Sequence, residues 1–106
     1  MNNIKISVLA SGDRVIAKTS EATREIEGRV QFIGYVLTDP QFVEIQESQT
    51  LTEDISESVS ILLKPWIDLS SDKQFLVPPT QIVTMCDPIE EVLNIYIEKV
   101  GDSDDA

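Results

Sequence analysis

Apolar and polar positions alternate from the start of the chain. Ile4, Ile6 and Val8 interleave with Lys5, Ser7 and Leu9, and an extended pattern resumes over residues 14–19 after the turn Ala10-Ser11-Gly12-Asp13. This arrangement predicts a β-hairpin. With Ser11-Gly12 as a two-residue loop, Val8 faces Val15, Ile6 faces Ala17 and Lys5 faces Lys18. Like charges directly opposite are unfavourable by a few tenths of a kcal/mol to about 1. Residues 20–28 are polar and charged and read as a loop. Residues 29–38, RVQFIGYVLT, are apolar on both faces and predict a strong strand. Gly34 at its middle marks a sharp bend. Asp39-Pro40 breaks the run, and residues 41–46 continue extended.

The second half reads less evenly. Residues 47–58 are acidic, rich in Ser and Thr, and predict an exposed loop. Residues 59–69, VSILLKPWIDL, form another two-faced strand. Its proline implies a kink at Pro65 or a place at the sheet edge. Residues 70–73 make a turn, and two short strands, 74–77 and 80–86, flank Pro78-Pro79. The one clear helix covers 88–100. Asp87 stands at its N-cap, Pro88 at N1 and Glu90 at N3. Ile89, Val92, Leu93, Tyr96, Ile97 and Val100 form one apolar stripe, and Gly101 ends the helix. About six bent strands and one helix predict a small all-β fold, a strongly bent five- to six-stranded barrel carrying a C-terminal helix.

Composition narrows the chemistry. The chain has 106 residues, one domain's worth over 1–101, followed by an acidic tail, 102–106, expected to be disordered. It holds no histidine, which removes His bases and His metal ligands, and a single cysteine, Cys86, which fits a reducing compartment. No signal peptide and no membrane-length apolar run is visible. The expectation is a soluble cytoplasmic protein with no membrane partner. The net charge is −11. Setting aside the tail's three aspartates leaves 16 acids against eight bases. That balance disfavours phosphate-rich partners. The bases nevertheless concentrate early, as Lys5, Arg14, Lys18, Arg24 and Arg29, whereas residues 30–63 hold six acids and no base.

The hairpin VLASGDRVIAKT, the bent RVQFIGYVLT and the stretch LVPPTQIVTM resemble the Sm and Sm-like (LSm) proteins, whose fold is a bent, SH3-like small barrel. Gly12 matches the family's turn glycine, Val8 and Val15 its flanking core positions. Pro78-Pro79 fall at the tight turn before the last strand, where the missing N–H groups cost little. SGDRVIA, LLKPWIDLSSDKQFLVPPTQIV and CDPIEEV further resemble small Sm-like proteins of tailed phages and marine viruses. The resemblance implies a homo-oligomeric ring of about five to seven subunits. It also implies binding of single-stranded RNA or DNA in phage or host nucleic-acid processing, placing the protein in the host cytoplasm. Two departures weaken the ligand. Pro78-Pro79 replace the usual Arg-Gly, and residues 20–28 offer no asparagine and no aromatic for a base.

The nucleic-acid-binding candidates are therefore Lys5, Arg14, Lys18, Arg24 and Arg29, with Lys5 and Lys18 facing each other across the hairpin and sharing a phosphate. Tyr35, Trp66 and Tyr96 fit the core or a subunit interface better than stacking platforms. Cys86 reads as a small buried hydrophobe. Glu53, Asp54 and Glu57 lack the spacing of a calcium loop. No catalytic constellation, cofactor or metal site is legible, so an enzyme is not expected. The alternative to nucleic-acid binding is a structural or adaptor ring that docks a protein through the acidic loop 47–58.

Overall fold

The structure, a computed structural model, describes residues 3–48 and 58–101. The elements run β1 (Ile4–Leu9), β2 (Arg14–Ile26), β3 (Arg29–Ser48), β4 (Ser58–Pro65), β5 (Gln74–Val77), a 3₁₀ turn (Pro79–Gln81), β6 (Ile82–Cys86) and α1 (Glu90–Val100). All strand pairs are antiparallel, in the order β4-β3-β2-β1-β6, with β5 also on β3. The expectation of an all-β fold of bent strands with a C-terminal helix holds. The ladder stays open, because no described pairing joins β6 to β4 or β5. The expected acidic loop lies mostly at residues 49–57, and the tail at 102–106; both fall outside the described residues.

β3 is the spine. One of its edges carries β2 over residues 29–42. The other carries two strands in succession, β5 on residues 35–38 and β4 on residues 41–48. The change of partner falls at Asp39-Pro40. Pro40 has no N–H to give a ladder, and Asp39 takes a left-handed φ of 50°. The β2 register slips at the same place, between Ile16 and Lys18, so β3 carries a bulge there. β4 ends at Pro65 as an edge strand; residues 66–69 are bends and turns rather than a continuation of it.

Residues 15–19 of β2 are buried on both faces. On the inner face of the curled sheet Val15, Ala17 and Leu37 pack with Leu9 and Val77. On the outer face Ile16 packs with Ile4, Val43 and Leu63 against Val92 and Tyr96 of α1. The helix stripe thus covers its own sheet. Each fully buried aliphatic side chain in these layers contributes roughly 1.5–3 kcal/mol. Ile89, at the start of the expected stripe, is left 65 % exposed.

Five sequence expectations change. The β1–β2 register places Lys5 opposite Ala17 and Ile4 opposite Lys18, one residue away from the expected pairing. The loop is longer than two residues: Leu9 N–H donates to Asp13 O at 2.9 Å and Gly12 N–H to Leu9 O at 2.8 Å. Residues 20–26 are strand, not loop. The helix begins at Glu90 with Ile89 at the N-cap position and no side-chain cap, because Asp87 instead forms an ion pair with Lys5. At the other end Gly101, at φ 86°, donates its N–H to Ile97 O as expected. Cys86 is exposed rather than buried.

Candidate functional site

Beyond residue 20 the β2–β3 pair leaves the body of the protein. β1 covers β2 only over residues 14–18, and β5 covers β3 only from Tyr35 onward. Residues 20–34 therefore form a two-stranded arm with neither edge paired to a third strand among the described residues. Its tip is the two-residue turn Glu27-Gly28, between Ile26 and Arg29, with both φ values positive at 52° and 78°. That is the turn whose twist suits a two-residue hairpin. The arm explains the dimensions, 66 × 29 × 29 Å, and a radius of gyration of 16.4 Å. A compact chain of this length would have about 13 Å.

The arm's root is fixed by Gly34. A Cβ there would lie 2.4 Å from the Val77 carbonyl oxygen, and its φ of 152° is unfavourable for other residues. The chain leaving β5 crosses against this glycine. Pro78 and the 3₁₀ turn then carry it round to β6, where Ala10 N–H donates to Gln81 O at 2.7 Å. The broken apolar run around Pro78-Pro79 is thus a corner in the sheet.

Pair alternation gives the arm two unlike faces. Glu21, Thr23 and Glu25 of β2 pair with Tyr35, Phe32 and Val30 and continue the inner face. Phe32 and Tyr35 meet edge to face at 5.1 Å, so the bulge beside Thr23 keeps both rings on that side. Arg24 pairs with Gln31, and Ile26 with Arg29, continuing the outer face. Val30 is 72 % exposed, Phe32 45 % and Ile26 40 %. An isolated two-stranded ribbon is marginal in water.

The five basic candidates are not one patch. Lys5 lies on the inner face, in an ion pair with Asp87. Lys18 lies on the outer face, buried, with its Nζ 3.6 Å from Asp39 Oδ2. The shared phosphate between them is overturned by the register, which puts their side chains on opposite sides of the sheet. Arg14 is exposed at the other end of β2. Only Arg24 and Arg29 come together, at the arm's tip.

Other sites are weaker. A groove of about 260 Å³ beside the Pro78 corner is lined by Leu9, Ser11, Trp66, Leu76, Val77 and Gln81, with no charged side chain. Among the described residues three buried polar atoms, Ser7 Oγ, Gln41 Oε1 and Glu44 Oε2, lack hydrogen-bond partners, although Glu44 Oε2 forms an ion pair with Lys64 Nζ at 2.9 Å. Ser7 pairs with Val15 and Gln41 with Ile16, so they lie on opposite faces and form no joint site. Among the described residues no group of His, Cys, Asp or Glu side chains could hold a metal ion, and no helix is long and apolar enough to cross a membrane.

Sequence reasoning missed the role of Tyr96. It is fully buried, and its hydroxyl accepts from Lys18 N–H at 3.3 Å. The hydroxyl lies 3.1 Å from Thr38 O and 3.0 Å from Asp39 O, to which it donates. It thus bridges backbone groups of β2 and β3 beside the bulge. Burial pushes the phenol pKa well above its ordinary value, the Lys18 N–H pulls it down, and the Asp39 charge raises it further. A tyrosine on a helix stripe was the only available signal.

The chain belongs to a family of unknown function, DUF6561, whose profile matches residues 2–101. No curated protein matches it.

Proposed function

We propose that this protein is a non-enzymatic assembly module, a structural or adaptor protein that works as an Sm-like ring of about five to seven identical subunits. The observation that carries the reading is the open sheet. β6 is paired only with β1, and β5 only with β3, among the described residues. Their free edges face away from the rest of the ladder, beside exposed Val83 and Leu76. Unpaired edges invite a further strand, and two different edges on one chain join head to tail, the geometry that closes rings. In the phage setting implied by the resemblance, such a ring would present several arms at once and gain by multivalency.

Multi-angle light scattering across micromolar concentrations tests this reading. A discrete species of several subunits is expected, and a monomer throughout removes it.

Binding of single-stranded RNA or DNA is the second reading, and one observation favours it: Arg24 and Arg29 share the exposed outer face of the arm. Such binding would be weak and steeply salt-dependent. A screen against homopolymer single strands at low salt tests it. Binding by the wild type that is lost in R24E/R29E would put the nucleic-acid reading first.

A further inference from the structure

Along its paired strands, with Glu27 of the tip turn set apart, the arm separates its charges by face. Its inner face carries Glu21 and Glu25 beside Phe32 and Val30, with no base. Its outer face carries Arg24 and Arg29 beside Ile26, with no acid. All of these side chains are exposed, although the body of each molecule is strongly acidic. A surface made to repel every anion would not place its arginines on one side of a ribbon and its glutamates and aromatic ring on the other.

We propose that the arm docks on the arm of a second copy of this chain, the outer face of one against the inner face of the next. The proposal rests on the assembly reading above and names its interface. Charge complementarity identifies the occupant: two positive groups meet two negative groups, and Ile26 meets the apolar surface of Phe32 and Val30. Opposite potentials across an interface fix register and suppress wrong pairings. Two unlike faces make the contact head to tail, so it repeats from copy to copy in the same sense as a ring. Stacking also supplies what a two-stranded ribbon lacks alone, a second layer against its apolar side chains.

Charge reversal on the full-length protein tests the pairing. R24E/R29E makes both faces acidic, and E21K/E25K makes both basic. Each variant alone is expected to sediment at a lower mass than the wild type at equal concentration. An equimolar mixture of the two is expected to recover the wild-type mass, because each acidic face then meets a basic one. The full exchange E21K/R24E/E25K/R29E keeps the faces complementary and is expected to assemble like the wild type. Circular dichroism and melting on each variant keep the comparison among folded proteins. If R24E/R29E and E21K/E25K retain the wild-type mass, arm stacking is wrong while the assembly reading stands. If the single variants dissociate and neither the mixture nor the full exchange recovers assembly, the pairing of these faces is wrong. A wild type that is monomeric throughout overturns both.

Discussion

Tyr96 shows how much one hydroxyl can decide. At the bulge beside Asp39-Pro40 the carbonyls of Thr38 and Asp39 and the Lys18 N–H all converge on the Tyr96 hydroxyl inside a buried region. Leaving a buried polar group unpaired costs about 1–3 kcal/mol. Tyr96→Phe is therefore expected to lower unfolding free energy by about that amount in a denaturant titration, with the helix retained. pH gives a second readout. The folded phenol holds its proton to a higher pH than the unfolded one, so its contribution is present below pH ~10 and lost as pH rises beyond that. Wild-type stability should fall in the alkaline range, and Tyr96→Phe should fall less. At Gly34 a methyl group would meet the Val77 carbonyl, and the positive φ adds strain. Gly34→Ala is expected to cost well over ~1 kcal/mol, measured by thermal melting. A melting temperature equal to wild type would show that the corner can move.

At the scale of elements, the two ends of the chain were the most legible in the sequence. The helix stripe was visible because Val92, Leu93, Tyr96 and Ile97 recur at helical spacing on one covered face. Its cap was misread because Asp87 has a stronger competitor in Lys5. A double-mutant cycle on Lys5→Ala and Asp87→Ala should therefore show coupling of about 0.2–1 kcal/mol, the range of an exposed pair; a capping aspartate would show none. The β1–β2 register was ambiguous because residues 15–19 are buried on both sides, so alternation in β2 says nothing about pairing. The arm was hidden for the opposite reason. A strand exposed on both faces needs no apolar period, and Glu21, Arg24 and Glu25 read as a loop. Removing residues 88–106 should strip the cover from Ile4, Ile16, Val43 and Leu63. Loss of a cooperative melt is expected, and an unchanged melt would deny the helix its structural role.

For the whole molecule, charge sets the terms of association. A net charge of −11 and a pI near 4.1 keep separate copies apart at neutral pH. Assembly must work against that repulsion through local contacts. Acidification toward the pI should remove the repulsion and promote association and precipitation, which turbidity across a pH series would register. Solubility that rose toward pH 4 would contradict this account.

The crossing at Gly34 gives the molecule a mechanical property. The arm is a lever of two strands, each about seven residues long, and its fulcrum is a backbone contact with the strand that leads through the Pro78 corner into β6. With only hydrogen on that glycine, the two backbones touch without a cushioning side chain. A load applied at the Glu27-Gly28 tip would bear directly on the end of β5 at Val77 and Pro78. The far edge of the sheet is thereby tied to whatever holds the tip.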